Sequence, residues 1–272
     1  MPGFKLVGRE ARQKGTVVKV GNTEFGSNKV AIIAGPCAIE SEEQLLETAL
    51  AVKEAGAAVL RGSAYKPRSS PYSFQGLEEE GLKIMAKVKK KTGLLVETEV
   101  IDARDVALVS KYVDALRIGA RNMQNFSLLR EVGKSQKPVI LKNGISSTLD
   151  EFLCSAEYIL AGGNKNVILC NRGIRTTEPE LRFPVLSGST ALLKQKTHLP
   201  VIVDPSHSTG NSSLIVAASR AAIAEGADGL IIEVHPSPEK ALSDKRQQLT
   251  PGQFKSLMPE LERVAKAVGR GL

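Results

Sequence analysis

Eight short apolar runs, rich in β-branched residues, recur along the chain, and each is followed by polar or glycine-containing residues and then by helical periodicity. The intervening helix-like stretches include "SEEQLLETALAVKEAG", "LEEEGLKIMAKVKKKTG", "STLDEFLCSAEYILAGG" and "SSLIVAASRAAIAEGA". Near-continuous apolar runs are typical of parallel strands that are buried on both faces. We therefore predict an α/β protein whose strand–helix units close into a (β/α)8 barrel, the TIM barrel. The runs are residues 30–35, 57–62, 93–100, 114–120, 137–144, 165–173, 199–206 and 228–236.

The segment before the first run has a different pattern. In "GTVVKVGNTEFGSNK" β-forming residues alternate around Gly21 and Asn22, which predicts a β-hairpin that caps the N-terminal end of the barrel. The predicted organisation is an N-terminal extension with this hairpin at 1–28 and a catalytic barrel at 29–272. An open doubly wound sheet is the alternative, but it usually has fewer strands and a G-x-G-x-x-G first turn, which this sequence lacks.

The composition favours a soluble protein of a reducing compartment. A chain of 272 residues that is 42% hydrophobic can bury a large core. No apolar run approaches the roughly 18 residues that a membrane span needs, and "MPGFKLVGREARQKG" lacks the apolar centre of a signal peptide. The three cysteines, Cys37, Cys154 and Cys170, are an odd number scattered over a long chain, which argues against a disulfide framework. We expect a cytoplasmic protein that does not bind membranes.

The net positive charge of the chain indicates the classes of partner that it could bind. A formal net charge of +8 and a pI near 9.4 suit nucleic acid, a membrane surface or anionic small molecules. Nucleic-acid-binding proteins usually combine a basic stripe with exposed aromatic residues, whereas aromatics are only 4% here and Trp is absent. Anionic substrates are therefore the favoured reading, and an ordinary basic surface is the alternative.

Potential metal ligands follow the seventh, eighth and first runs. Reactive groups of a TIM barrel lie at the C-terminal ends of its strands, and closure makes the eighth strand the neighbour of the first. A thiol, an imidazole and carboxylates together suit a divalent transition metal, although a single Cys or His is more often structural. His235 competes with His207 for the imidazole position, whereas His198 lies at the opposite end and is predicted to be structural. The predicted metal ligands are Cys37, His207, Glu233 and Asp244.

Basic residues follow the second, fourth, fifth and sixth runs. A charge inside or just after an apolar strand is costly unless it is paired or faces a ligand. Glu97, Glu99 and Glu178 could pair with some of these cations, but the cations outnumber them, so the surplus predicts a site for phosphates or carboxylates. Two phosphorylated substrates, or one phosphate and one carboxylate, would fill it. The cations are Arg61, Lys66, Arg68, Arg117, Arg121, Lys142, Arg172 and Arg175.

Seven motifs, in order, resemble those of a known enzyme family. They are "GPCAIES" (35–41), "KPRSSPYSFQGL" (66–77), "RIGARNMQN" (117–125), "LKNG" (141–144), "CNRGIRT" (170–176), "VDPSHSTG" (203–210) and "EVHPSPEKALSD" (233–244). From about Lys29 onward the chain is similar to 3-deoxy-D-arabino-heptulosonate 7-phosphate (DAHP) synthase, in the short form related to 3-deoxy-D-manno-octulosonate 8-phosphate synthase. The resemblance implies a transferase that condenses phosphoenolpyruvate with D-erythrose 4-phosphate, the first step of the shikimate pathway and of aromatic amino-acid biosynthesis.

The resemblance also implies roles for individual residues. It implies one divalent metal ion, Mn, Fe, Co or Zn, on the four ligands named above, of which Cys37 and His207 also count as catalytic. Lys142 is the candidate for proton transfer. The implied phosphoenolpyruvate site is Arg61, Lys66, Arg121, Lys142 and Arg172. The implied erythrose 4-phosphate site is Lys66, Pro67, Arg68, Ser69 and Asp204.

Two other functions stay open at this point. The octulosonate synthase uses arabinose 5-phosphate, and its family carries Lys-Ala-Asn-Arg-Ser where the heptulosonate family carries Lys-Pro-Arg-Ser or Lys-Pro-Arg-Thr. The stretch from Lys66 to Ser69 reads Lys-Pro-Arg-Ser, which favours erythrose 4-phosphate. An inert barrel that serves as a regulatory or scaffolding subunit is the second alternative.

Regulation and assembly are expectations that come from the family. The resemblance implies a homotetramer. Because only about 28 residues precede the first strand, and longer relatives sense aromatic amino acids through added domains, we expect no inhibition by Phe or Tyr.

Overall fold

The strands form a two-stranded hairpin and a closed parallel barrel. The computed structural model describes residues 3, 5–68 and 70–272. The hairpin pairs β1 (Val18–Val20) with β2 (Thr23–Phe25). The barrel strands follow one another around the barrel in chain order, and β10 pairs with β3, so the predicted barrel is confirmed and the open sheet is excluded. They are β3 (Ala31–Gly35), β4 (Val59–Arg61), β5 (Leu95–Glu99), β6 (Ala115–Ile118), β7 (Val139–Lys142), β8 (Val167–Asn171), β9 (Val201–Val203) and β10 (Gly229–Glu233).

The helices begin and end where local residues satisfy their free backbone groups. The Ser41 side chain accepts a hydrogen bond from Gln44 N at the start of α1, and Thr148 and Glu151 form a capping box at the start of α5. Gly93, at φ 73°, ends α2 in the left-handed conformation. The helices are α1 (Glu42–Glu54), α2 (Glu78–Thr92), α3 (Val106–Ser110), α4 (Phe126–Lys134), α5 (Leu149–Ala161), α6 (Ser189–Lys196), α7 (Pro205–Thr209), α8 (Ile215–Ala224) and α9 (Pro251–Ala267).

Successive strand residues belong to two separate apolar clusters. In β3, Ile32 and Ala34 join the large cluster that includes the helices, whereas Ala31 and Ile33 join the small cluster inside the barrel. This alternation follows from the two-residue period of a strand, because successive side chains point to opposite faces. Both faces of the sheet are therefore apolar, which explains why the runs are continuous in sequence.

The hairpin closes the N-terminal end of the barrel, as predicted. Val18, Val20 and Phe25 are almost completely buried and pack with interior strand residues such as Ile33 and Ile231. Gly21 occupies the turn with φ 54°, a backbone conformation that glycine adopts without steric cost. The polar groups of the site therefore gather at the other, open end.

The residues before the hairpin pack on the outside of the barrel. The Glu157 side chain of α5 accepts hydrogen bonds from the backbone amides of Lys5, Leu6 and Val7 at 2.8–3.1 Å, and Val7 joins the large core cluster. The division into 1–28 and 29–272 stays a prediction. Within the described residues, no helix combines the length and the apolar character that crossing a membrane requires.

Candidate active site

Four potential metal donors meet at the open end of the barrel. Ligand atoms of Cys37, Glu233 and Asp244 all lie within 4.8 Å of one another. His207 Nε2 lies 3.6 Å from Glu233 Oε1 and 3.6 Å from Asp244 Oδ2. Cys37 follows β3, His207 lies in α7 after β9, Glu233 ends β10, and Asp244 lies in the loop after β10. Residues up to 207 positions apart in sequence thus converge through the closure of the barrel.

The Asp204 carboxylate holds the imidazole of His207 in position. Asp204 begins α7, and its Oδ1 accepts a hydrogen bond from His207 N at 2.8 Å. Its other oxygen, Oδ2, lies 2.8 Å from His207 Nδ1, so Nε2 is the atom turned to the carboxylates. A carboxylate behind a histidine fixes the orientation of its ring, as it does in many metal sites. Burial lowers the pKa of His207 to about 4, although the Asp204 and Glu233 carboxylates oppose this shift, so the imidazole is neutral and can donate a lone pair.

The donor atoms fit a divalent transition metal. Burial and the Glu233 carboxylate raise the pKa of the Cys37 thiol to about 12, so the thiolate needs nearby positive charge. Lys66 Nζ, 3.0 Å from Cys37 Sγ, supplies part of it. Glu233 Oε1 is buried, accepts no hydrogen bond of good geometry from the described residues, and lies 2.9 Å from Arg61 NH2. A thiol, a neutral imidazole and two carboxylates are a donor set that suits a borderline divalent metal.

The structure separates the three histidines. His235 Nε2 lies 3.4 Å from Glu40 Oε2, and His235 Nδ1 accepts a hydrogen bond from Ser237 N, so both of its nitrogens are engaged away from the donors. His198 contacts Thr16 Oγ1 and the Leu6 carbonyl oxygen at 2.7 Å each, close to the N-terminal segment. His207 is thus the histidine at the donor set.

A strongly basic cavity of about 410 Å³ adjoins the donors. Eight of its lining residues are Arg or Lys, against the two carboxylates of Glu99 and Asp244. Among the described residues, no carboxylate forms an ion pair with Arg68, Arg121 or Arg175. Unpaired guanidinium groups around a concave site favour anionic ligands. The eight cations are Lys66, Arg68, Arg117, Arg121, Lys142, Arg172, Arg175 and Arg182.

Most of the predicted substrate residues line this cavity. Arg61 and Asp204 do not: Arg61 is completely buried with NH2 2.9 Å from Glu233 Oε1, and Asp204 is completely buried between Lys142 and His207. Their direct contact with a substrate stays a prediction, whereas their contacts with site residues are present. Ser69 lies outside the described residues. The predicted residues that line the cavity are Lys66, Pro67, Arg68, Arg121, Lys142 and Arg172.

Arg172 is held by an aromatic ring that sequence reasoning did not identify. Its guanidinium carbon lies 4.0 Å from the centre of the Phe183 ring, a cation–π geometry. Burial lowers the pKa of Arg172 to about 10, and the neighbouring Arg182 and Arg121 act in the same direction. Phe183 and Arg182 belong to the loop between β8 and α6, and Gln247, which donates a hydrogen bond to Glu233 Oε2 at 2.7 Å, belongs to a short 3-10 helix after β10. No strand-end pattern could have found them.

Arg117 belongs to a buried ion-pair network. Its Nε lies 2.9 Å from Glu97 Oε2, its NH1 2.9 Å from Glu99 Oε2, and its NH2 donates to Ser63 Oγ at 2.9 Å. The possibility that Glu97 and Glu99 pair with strand-end cations is thus realised here. Two carboxylates share this one guanidinium, which ties β5 to β6.

We expect Arg117→Met to destabilise the fold strongly. The change leaves two buried carboxylates without their shared cation, a loss of about 3–5 kcal/mol in the free energy of unfolding. Urea denaturation measures it. The matched control is Arg104→Met, which removes an exposed arginine paired with Asp102 and is expected to leave the unfolding midpoint unchanged. A wild-type midpoint for Arg117→Met would contradict a stabilising role of the network.

Comparisons with known proteins agree with the geometry. The model of the DAHP synthetase I family matches residues 14–270. The phospho-2-dehydro-3-deoxyheptonate aldolase of Thermotoga maritima is 49% identical over 266 residues, which cover 98% of this chain and 79% of that protein. The 2-dehydro-3-deoxyphosphooctonate aldolase of Methylococcus capsulatus is 32% identical over 255 residues, 87% of this chain and 89% of that protein.

Solved structures give the same relationship. The crystal structure of the Thermotoga maritima phospho-2-dehydro-3-deoxyheptonate aldolase (DAHP synthase) has a TM-score of 0.96 at 48% identity, with 100% of this chain and 79% of that chain covered. A truncated form of 3-deoxy-D-arabino-heptulosonate 7-phosphate synthase from the same organism has a TM-score of 0.91 at 45% identity, with 98% of both chains covered. The chain therefore belongs to the DAHP synthetase I family, as its seven motifs predicted.

Proposed function

We propose that this chain condenses phosphoenolpyruvate with D-erythrose 4-phosphate, giving 3-deoxy-D-arabino-heptulosonate 7-phosphate and inorganic phosphate, with the help of one divalent metal ion. The observation that carries the proposal is the contact between a transition-metal donor set and a cavity lined by eight basic residues. An inert scaffold gains nothing from unpaired cations and buried donors, which are costly to keep. The identity of 49% to a heptonate aldolase, against 32% to an octonate aldolase, favours the shorter sugar.

The metal would be held by Cys37, His207, Glu233 and Asp244. When bound, the ion would supply Lewis-acid polarisation of the sugar aldehyde or position a water molecule. The chain's own residues prepare this site. Lys66 contacts the Cys37 sulfur, Asp204 orients His207, and Arg61 lies 2.9 Å from Glu233.

Phosphoenolpyruvate would bind on the floor of the cavity. Lys66 and Lys142 are almost completely buried and line the cavity together with the donors His207 and Asp244. Arg121 and Arg172 line the same cavity. A guanidinium can hold a phosphate or a carboxylate by two parallel hydrogen bonds, and such contacts are stronger where burial lowers the local dielectric constant. Arg172 is aimed by Phe183, as described above.

Erythrose 4-phosphate would bind nearer the rim. Pro67 restricts the backbone just before Arg68, and both line the cavity next to Lys66. Arg68 forms no ion pair with a described carboxylate and is therefore available for the sugar phosphate. The assignments of Lys66, Pro67, Arg68, Ser69 and Asp204 to this substrate are part of the proposal.

Lys142 would stabilise negative charge and donate a proton during bond formation. C3 of phosphoenolpyruvate forms a bond to the aldehyde carbon as the C2–C3 double bond opens, and the aldehyde oxygen takes up a proton. Water adds at C2 and gives back one proton, and the bond from C2 to the phosphate oxygen then breaks as the new C2 hydroxyl loses its proton to the leaving phosphate and becomes the ketone. Lys142 Nζ donates a hydrogen bond to Asp204 Oδ2, the oxygen that also lies 2.8 Å from His207 Nδ1. This contact keeps the ammonium at the cavity, where it can stabilise negative charge and give up a proton.

Phosphate release with each aldose tests the proposal. We expect the metal-loaded protein to release phosphate from phosphoenolpyruvate with erythrose 4-phosphate at a kcat/KM at least tenfold above that with arabinose 5-phosphate. Missing sugar contacts cost about 1–3 kcal/mol in transition-state binding, which supports this ratio. Chelation should abolish the activity and a divalent metal should restore it. A preference for arabinose 5-phosphate would overturn the choice of sugar, and no phosphate release with either aldose would favour the inert barrel.

Cellular location and assembly are finer proposals. We propose a cytoplasmic homotetramer, on the grounds of the sequence composition and of the family resemblance. Sedimentation equilibrium of the purified protein measures its mass, and a mass of 29.1 kDa, that of one chain, would rule the tetramer out.

A further inference from the structure

Two side chains beside the donor set, Arg182 and Gln247, take no part in the reaction proposed above. Arg182 NH1 lies 2.5 Å from Gln247 Oε1 and 3.3 Å from Asp244 Oδ2. Gln247 Nε2 lies 2.7 Å from Glu233 Oε2 and 3.5 Å from Asp244 Oδ2. Gln247 is almost completely buried, whereas part of the Arg182 side chain faces the cavity. Both residues reach the site from loops, and both touch potential metal ligands.

The chemistry of the two groups fixes which way the amide points. A guanidinium only donates hydrogen bonds, so the Gln247 oxygen must face Arg182. The Gln247 NH₂ group then faces the carboxylates of Glu233 and Asp244, which only accept hydrogen bonds. A flipped amide would set N–H groups against the guanidinium and an oxygen against two carboxylates, which is unfavourable at every contact.

The Gln247 amide contacts only one of the two carboxylate oxygens of Glu233, so the two oxygens have different surroundings. Oε2 accepts the hydrogen bond from Gln247, while Oε1 accepts no hydrogen bond of good geometry from the described residues and lies 2.9 Å from Arg61 NH2 and 3.6 Å from His207 Nε2. One oxygen is therefore held by the Gln247 amide, and the other faces the Arg61 guanidinium and the imidazole of His207. Partners behind metal ligands commonly fix ligand orientation in this way.

We propose that Arg182 and Gln247 are positioning residues for the metal: Arg182 orients the Gln247 amide, and the amide holds Glu233 Oε2 so that Oε1 is the oxygen turned to His207 and is the ligand atom. This inference rests on the metal site of the proposed function. It assigns a role to Arg182, in the loop between β8 and α6, and to Gln247, after β10, neither of which the strand-end pattern had singled out.

The backbone around both residues supports such a relay. Arg182 N donates to Thr209 O at 3.2 Å, which attaches the loop to α7, the helix of His207. Gly210 allows the Arg182 side chain to pass, because a Cβ there would lie 2.6 Å from Arg182 Cβ. Asp244 has left-handed backbone angles, φ 49° and ψ 40°, which are unfavourable for a residue with a side chain. The contacts of Arg182 and Gln247 restrain a ligand loop that is strained.

Metal affinity measured without substrates tests the relay directly. Equilibrium dialysis of Mn²⁺ against metal-depleted protein gives the dissociation constant for wild type, Gln247→Met, Arg182→Met and the double variant. We expect each single variant to weaken Mn²⁺ binding about 10–100-fold, the usual cost of losing a partner behind a metal ligand. Because both residues act through one amide, Arg182→Met should weaken binding at least threefold less in the Gln247→Met background than in wild type. Arg182→Lys, which keeps a donor, should recover part of the affinity.

The matched control removes a neighbouring arginine that makes none of the contacts described for Arg182. Arg246 is exposed and pairs with no carboxylate in the described part of the chain, so Arg246→Met should bind Mn²⁺ within twofold of wild type. Thermal unfolding of each metal-free variant shows whether it is folded; should Gln247→Met fail to fold, Arg182→Met and Arg182→Lys decide the question. Wild-type affinity in Arg182→Met, or losses that simply multiply in the double variant, would overturn the inference. No Mn²⁺ binding by wild type would instead count against the metal site itself.

Discussion

Cys37→Ala is expected to abolish the condensation, with kcat/KM reduced about 10³-fold or more even at saturating divalent metal. The change removes the softest of the four donors, and metal-ion catalysis contributes several kcal/mol, of which each 1.4 kcal/mol is a factor of about ten in rate. Cys37 is completely buried, and its backbone N–H donates to Gln248 Oε1 at 3.0 Å, so the peptide stays anchored when the sulfur is lost. Phosphate release and Mn²⁺ dialysis on the same preparation measure the loss.

Cys154→Ala is the matched control for this substitution. Cys154 lies on α5, away from the donor set, and its replacement makes the same chemical change, the loss of one thiol group. It should retain wild-type activity and metal affinity. If Cys37→Ala turned over at a wild-type rate, or if thoroughly chelated wild-type protein did, the metal would have no catalytic role.

Lys142→Met is expected to reduce kcat about 10²–10⁴-fold, the usual contribution of a positioned proton donor. The ammonium of Lys142 also neutralises Asp204, which is completely buried, so its loss leaves that carboxylate with one cationic partner fewer. We therefore expect a second effect, a lower free energy of unfolding, by about 3–5 kcal/mol. Single-turnover kinetics and urea denaturation measure the two effects separately.

Lys142→Arg separates charge from proton transfer. A guanidinium keeps the ion pair with Asp204 but does not give up its proton, so this variant should regain stability without regaining activity. Recovery of kcat in Lys142→Arg would assign Lys142 a purely electrostatic role. A kcat of Lys142→Met within tenfold of wild type would remove it from the chemistry altogether.

The position of the candidate site residues at one end of the barrel could be predicted from the sequence, because it depends on local strand patterns. Cys37, His207, Glu233 and most of the cations stand in or just after apolar runs, and the C-terminal ends of parallel strands lie at one end of a barrel; Asp244 follows farther along the loop after β10. Glu233 and Lys142 could be assigned to the open end of the barrel because each is the last residue of a strand. The N-terminal hairpin was equally readable, since Gly21 marks its turn.

Sequence reasoning was less complete for residues that reach the site from loops. Arg182, Phe183 and Gln247 follow no strand directly, and tertiary contacts such as that between Arg182 N and Thr209 O place them. Arg61 stood at a strand end, yet its side chain lies beneath the donors rather than in the cavity. A position at a strand end predicts at which end of the barrel a residue lies. It does not predict which side chain will form an ion pair with that residue.

The sequence by itself determined the barrel, its capped and open ends, and the chemical character of the open end, because strand periodicity and strand order depend on residues close together in the chain. Only the tertiary structure decided which charges pair. Arg117 meets Glu97 and Glu99 across neighbouring strands, His207 rather than His235 turns to the donors, and the cations without partners face one cavity. The physical reason is that these pairings depend on the side-chain direction and distance between strands and loops that are remote in sequence, and burial makes each pairing energetically decisive.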